Sequence, residues 1–320
     1  MQPQAEPDHG GGVDAAAARW GGARADWLDL STGINPSPYP LPPFPADCWT
    51  ALPDQGAMAR LLAAARQFWQ VPDGAEIMAA AGASALIARI PALCPADAVI
   101  PGPTYNEHAR AFRAAGFRVA ESGDAPVRVV VHPNNPDGRL WPADTAGSRL
   151  TVIDESFCDV MPKASQIARS ADPGVVVLKS FGKFWGLAGL RLGFAIARRE
   201  TLTGPSGHLA DLLGPWCVSG PALVAGAAAL ADLPWAMATR TRLAQNAARL
   251  DALVLPCGAQ LQGGTALFRL YQVGNAAHWQ DTLARHRIWS RVFPYAPGWL
   301  RLGLPPTEGW ARLATALEDL

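Results

Sequence analysis

Residues 178–194 read LKSFGKFWGLAGLRLGF, an apolar run that carries Lys179, Lys183 and Arg191 among four glycines. Taken blandly it is a surface loop with two basic residues. Its setting argues for more. Of the 27 basic residues in the chain only Lys163, Lys179 and Lys183 are lysine, and the rest are arginine. A lysine kept in so biased a chain points to a place where arginine cannot substitute. Imine chemistry is such a place, because a guanidinium stays protonated and cannot condense with a carbonyl. An apolar surrounding lowers a lysine pKa and frees its lone pair for attack on an aldehyde. Ser180 and Arg191, on either side of Lys183, suit a phosphate, one by its hydroxyl and one by its forked cationic donors.

Outward from this stretch, short apolar runs recur at 76–80, 98–101, 127–131, 150–153, 175–178 and 194–197. They are rich in Val and Ile, and several are separated by helix-length segments such as 58–69, as buried parallel strands are. The pattern predicts an α/β fold, a mostly parallel sheet sandwiched by helices, followed by a smaller α+β C-terminal domain. In that smaller part 221–232, 239–253 and 307–317 read as helices and 267–271 as a strand. The domain reading is an N-terminal arm with part of the small domain at 1–45, a large domain at 46–218 and a small domain at 219–320. The first 45 residues, rich in Gly, Pro and Ala, read as extended arm and turns rather than a packed unit.

Composition narrows the function. The 320 residues balance 27 Lys+Arg against 27 Asp+Glu, so no bulk charge favours nucleic acid or an anionic membrane. Five scattered cysteines without C-x-x-C spacing and six histidines without an H-x-x-x-H pair give no disulfide framework, zinc knuckle or other metal site. The most apolar segment, 214–231, contains Pro215 and Pro221 and lacks charged or aromatic anchors, which argues against a transmembrane helix. No basic stretch followed by an apolar run opens the chain, so the expectation is a cytoplasmic protein without a signal peptide.

Three further segments fall just after predicted strands, where open α/β sheets bind ligands. Gly82-Ala83-Ser84 lies at a strand-to-helix junction whose N–H groups suit a phosphate, although such a turn is often only a turn. His132-Pro133-Asn134-Asn135-Pro136-Asp137-Gly138 is built from the commonest turn residues. At Asp154-Glu155 an apolar strand ends in two carboxylates. Asp154 is there either a helix N-cap or the partner of a protonated ring nitrogen in a cofactor.

Together these motifs carry a resemblance. Ser180-x-x-Lys183 with Gly189-Leu190-Arg191-Leu192-Gly193, preceded by Asn134-Asn135-Pro136-x-Gly138 and Asp154-Glu155-x-Phe157, resembles the fold-type I pyridoxal-phosphate enzymes of the aspartate aminotransferase superfamily, in the order that family requires. The resemblance implies pyridoxal 5′-phosphate as cofactor and Lys183 as the amine that forms its Schiff base. It implies Asp154 on the pyridine nitrogen, Asn135 on the ring hydroxyl and Tyr105 stacked on the ring. Gly82, Ala83, Ser84, Ser180 and Arg191 are the implied phosphate holders.

Within the superfamily the chain is similar to the L-threonine-O-3-phosphate decarboxylases of cobalamin biosynthesis, near relatives of the histidinol-phosphate aminotransferases. His9-Gly10-Gly11, Trp27-Leu28-Asp29-Leu30-Ser31 and Ile34-Asn35-Pro36 resemble the N-terminus of that group, and Lys183-Phe184-Trp185 its lysine signature. Phe157 stands where the aminotransferases usually carry a tyrosine. The implied reaction is decarboxylation of L-threonine O-3-phosphate to (R)-1-amino-2-propanol O-phosphate. The alternatives are a histidinol-phosphate type of aminotransferase and a non-catalytic binding protein of the same fold. Arg291, Arg301, His9, Gly33, Ile34 and Asn135 are the implied substrate contacts; the two arginines answer a substrate with a carboxylate and a phosphate. A homodimer is implied as well. The sequence departs from the family at Leu52, where relatives have a tyrosine that reaches the partner's cofactor phosphate.

Overall fold

A computed structural model describes residues 9–143 and 148–320, and these divide into two compact units. The larger unit, 38–241, is built on a seven-stranded sheet. In chain order its strands are β1 (Glu76–Ala80), β2 (Ala98–Val99), β3 (Val119–Ala120), β4 (Val127–Val131), β5 (Leu150–Asp154), β6 (Val175–Ser180) and β7 (Gly193–Ala197). The spatial order is β1-β7-β6-β5-β4-β2-β3. β7 runs antiparallel to β1 and β6; every other pairing is parallel. β5 is buried at all five positions, which is why its sequence does not alternate apolar with exposed polar residues; Thr151 and Asp154 are its two buried polar positions.

The segment 144–147, between β4 and β5, and residues 1–8 lie outside the described residues, and with them the beginning of the expected N-terminal arm. The rest of that arm corrects the expectation of turns alone. Val13–Trp20 is a helix, and Val13 and Ala16 are buried with Trp27 and Ala284 in a small core of the smaller unit. Its alanines are good helix formers, and the flanking glycines only end it.

The domain boundary also differs from the reading at 219. Gly220–Ala231 belongs to the larger unit, where it packs on the helix Gln55–Trp69. Gly226 eases the close approach: a Cβ there would lie 2.8 Å from Leu61 Cδ1 and 2.5 Å from Leu192 Cδ2, and those side chains would have to shift. The smaller unit joins 9–37 to 242–320. Its four-stranded antiparallel sheet has β8 (Gln260–Thr265), β9 (Phe268–Gln272), β10 (Arg291–Phe293) and β11 (Ala296–Gly303) in the order β8-β9-β11-β10. Among the described residues no single helix is long and apolar enough to cross a membrane.

Candidate active site

The carboxyl ends of the parallel strands of the larger unit converge on one cavity of about 210 Å³. Ala83 and Ser84 enter it from the turn after β1, Tyr105 from the segment after β2, and Asn135 from the turn after β4. Asp154, the last residue of β5, and Ser156 and Phe157 form one wall; Ser180, Lys183 and Arg191 form another. Register explains the convergence. Val131 pairs with Asp154 and Asp154 with Leu178, so three strands end side by side. Ligands bind at this edge in open α/β sheets because the loops there diverge and leave a crevice.

Each position has a local cause. Lys183 stands in a tight turn in which the Gly186 N–H donates to the Lys183 carbonyl at 3.1 Å, with Gly186 at φ 70°. The turn is anchored from below by Trp185, stacked on Phe181 at 5.1 Å and on Trp235 at 5.4 Å. The Lys183 Nζ lies 5.2 Å above the Phe157 ring. Asp154 is buried, and burial works to raise its pKa. The hydrogen bond and charge of His108, with Nε2 2.9 Å from Asp154 Oδ2, and bonds from the Ser156 hydroxyl and N–H outweigh that, so the carboxyl is held below its usual value. This carboxylate is built to stay ionised. Tyr105 is the opposite case: burial, and then the nearby Asp154 charge, push its phenol up to about 12, and it hydrogen-bonds Ser84.

Beside the Tyr105–Ser84 pair lies a cradle. Gly82 takes φ 87°, ψ 157°, and a Cβ there would sit 2.6 Å from Arg191 Nη2. Gly193 at the start of β7 is equally constrained, since its Cβ would meet Ala83 N at 2.3 Å. The two glycines thus let the turn, the strand and the Arg191 guanidinium close on a small volume, with Ser180 Oγ accepting the Gly182 N–H at 3.3 Å nearby. An amine, an ionised buried carboxylate, an amide and a cluster of hydroxyls with a guanidinium fit a molecule that has an aldehyde, a pyridine nitrogen, a ring hydroxyl and a phosphate. The residues present therefore suit pyridoxal 5′-phosphate.

Two contributors escape sequence reasoning. His108 has no motif around it and meets Asp154 only through the fold. Asn134, next to the singled-out Asn135, is fully buried and braces two loops, donating to the Pro103 carbonyl at 3.0 Å and to Asp137 at 2.8 Å while accepting from the Thr104 hydroxyl. Its place at the head of Asn134-Asn135-Pro136-x-Gly138, in a turn-rich segment, was the signal for it.

The other singled-out residues lie in the smaller unit and gather there. Arg291 and Arg301 face each other across the β10–β11 pair. The Arg301 Nη2 donates to the Ser31 carbonyl at 2.6 Å, and a Cβ at Gly10 would come within 3.4 Å of the same nitrogen. His9 therefore precedes a residue in contact with the arginine. Thr32, the neighbour of Gly33, lies against β11, where a Cβ at Gly303 would meet the Thr32 carbonyl at 2.1 Å; Ile34 follows directly.

This site and sheet define a class. The model of the aminotransferase class I and II family matches residues 119–317, and the chain belongs to that family. Within it, the chain is 42% identical to a threonine-phosphate decarboxylase from a Sinorhizobium species, with 98% of each chain covered. It is also 42% identical to the threonine-phosphate decarboxylase of Pseudomonas aeruginosa, with 97% of each covered. In fold it is similar to the histidinol-phosphate aminotransferase of Sinorhizobium meliloti, solved in complex with pyridoxal 5′-phosphate, at a TM-score of 0.80 and 18% identity over 97% of this chain and 94% of that one.

Proposed function

We propose that this protein is a pyridoxal-phosphate-dependent decarboxylase of L-threonine O-3-phosphate, releasing carbon dioxide and (R)-1-amino-2-propanol O-phosphate. The observation that carries it is the convergence of Lys183, Asp154 and Arg191 on one cavity in a chain so similar to two threonine-phosphate decarboxylases. Pyridoxal 5′-phosphate, when bound, supplies an aldehyde and an electron-withdrawing ring that accepts the charge left as the Cα–carboxylate bond breaks.

The chain's residues supply the rest. The Lys183 amine would be the attachment point for the cofactor's aldehyde and, as the base lining the cavity, the group that would deliver a proton to the substrate's Cα. Asp154, kept ionised by His108 and Ser156, holds a proton on the pyridine nitrogen. Asn135 takes the ring hydroxyl, and Tyr105 covers the ring. Ser84, Ser180 and Arg191 hold the phosphate, with Gly82 and Ala83 shaping the turn. Arg291 and Arg301 are assigned the substrate's carboxylate and phosphate, with Gly33, Ile34 and His9 beside them. Arg291 and Arg301 are register partners on neighbouring strands, and two forked donors suit a ligand with two anionic groups.

A homodimer in the cytoplasm belongs to the same reading. The larger unit exposes Trp49, Leu52 and Trp216 to 66%, 67% and 59% along a groove with Leu190, more apolar surface than a lone subunit needs to show. All five cysteines are free thiols, as suits a reducing compartment.

The test is product analysis by mass spectrometry on cofactor-loaded protein given L-threonine O-3-phosphate and no keto acid. Aminopropanol phosphate with equimolar carbon dioxide is expected. Inertness under these conditions, with amino transfer once 2-oxoglutarate and histidinol phosphate are supplied, would reassign the reaction. Lys183→Ala is expected to lose the visible absorbance of the bound cofactor; retention of the wild-type spectrum would remove Lys183 from its role.

A further inference from the structure

Lys179 is the buried lysine the mechanism leaves unused. It is 1% exposed, and its Nζ lies 2.6 Å from Glu155 Oε2 and 3.4 Å from Asp159 Oδ1. Burial alone would push its pKa down, but the two carboxylates outweigh burial and keep it charged. Glu155 and Asp159 bracket Phe157, so a single ammonium fixes both ends of the segment that forms the Asp154 wall. Glu155 is held further by the Ser165 hydroxyl at 2.6 Å.

Asp159 is the junction of this arrangement. Its Oδ1 also accepts the Trp69 indole N–H at 2.9 Å, and its Oδ2 accepts the Trp185 indole N–H at 3.2 Å. The Arg240 Nε donates to its carbonyl at 2.8 Å. Trp185 is two residues beyond Lys183 and is wholly buried in its aromatic stack. Polar contacts thus run from Trp185, in the Lys183 turn, through Asp159 and Lys179 to Glu155, the chain neighbour of Asp154. Buried carboxylates carrying this many donors have little freedom, because losing any one partner exposes an uncompensated charge.

We propose that Asp159 and Lys179 form a positioning pair that sets the Lys183 amine against the wall formed by Asp154 and Phe157. The enclosure also accounts for lysine over arginine at 179. A compact ammonium fits between two carboxylates with no solvent, whereas a planar guanidinium with five donors needs more room and more acceptors.

The proposal rests on Lys183 being the cofactor-bearing amine, which Lys183→Ala tests separately. The variants here are Trp185→Phe, which keeps an aromatic ring in the stack and removes one N–H, and Asp159→Asn, which keeps the side-chain shape. With cofactor-loaded protein, the pH midpoint of the cofactor absorbance is followed alongside kcat and KM. Each variant is expected to move the midpoint by about half a pH unit or more, and to lower kcat by roughly ten- to a hundred-fold with KM little changed, as sub-ångström misplacement of a reacting group does. The double variant is expected to be no worse than the poorer single one, because the two changes interrupt successive links of one path. Wild-type midpoints and kcat with only a lower Tm would overturn the proposal, as would fully additive losses in the double variant. If either variant fails to fold, the other carries the same readouts. Should Lys183→Ala lose the absorbance while these midpoints stay unmoved, the positioning pair alone falls.

Discussion

Replacing Gly82 by alanine probes the phosphate cradle at its tightest point. The backbone there, at φ 87° and ψ 157°, lies in a region that only glycine adopts readily, so an alanine costs on the order of 1–3 kcal/mol before any contact is counted. The new Cβ would then stand 2.6 Å from Arg191 Nη2 and 3.0 Å from its Cζ, closer than real contacts allow. The guanidinium is the flexible partner and must move. If it leaves the phosphate, a charge-assisted hydrogen bond of about 1.5–3 kcal/mol is lost, equivalent to roughly ten- to a hundred-fold weaker cofactor binding. Titration of pyridoxal phosphate into apoprotein, followed by fluorescence quenching, reads that loss, and a thermal scan of the apoprotein reads the strain. Combined with Arg191→Ala, the Gly82→Ala change is expected to add little further loss of affinity, since both act on the same guanidinium. Wild-type affinity and Tm in Gly82→Ala would refute the cradle.

Three other outcomes follow from the geometry. Asp154→Asn is expected to lower kcat on the order of a hundred-fold or more, because the ring nitrogen loses its ionised partner. The folded Asp154 pKa is depressed, so its stabilisation is complete above the unfolded value of about 3.9 and is lost as pH falls through the folded value. The Tm gap between wild type and this variant should therefore be steady at neutral pH and close only in strong acid; a gap that closes between pH 7 and 5 would contradict it. Tyr105→Phe removes the bond to Ser84 from a phenol that stays neutral up to about 12, so cofactor affinity is expected to drop by about 0.5–1.5 kcal/mol with the pH–rate profile below pH 10 unchanged. Arg301→Lys is expected to raise KM about ten-fold while leaving the cofactor spectrum untouched, because it removes a forked donor from a substrate contact; an altered spectrum would place Arg301 elsewhere.

Chain-local physics made much of this legible. The strands 76–80 and 127–131 coincide with their apolar runs, since a strand buried on both faces is apolar at nearly every position; Glu76 and Arg128 are the half-buried exceptions. Lys183, Asp154 and Asn135 were singled out from short segments after predicted strands and from the family resemblance, and the three line one cavity. The helix Val13–Trp20 was not, because its alanines sit among glycines and its only strong core signal, Val13, is a single residue. The boundary at 219 was misplaced because a nearly all-apolar helix gives no periodicity to say which core it joins.

By itself, then, the order of residues determined the sheet, the lysine turn and the chemistry those side chains can support, because each depends on neighbours within a few positions. Tertiary structure decided the rest. The His108–Asp154 contact joins residues 46 apart, and the Trp185–Asp159 contact joins residues 26 apart. Neither separation leaves a trace in periodicity or composition. The Ser156 donors to Asp154 are local, but His108, which completes its set, is brought to it only by folding, and so are the two carboxylates that hold Lys179.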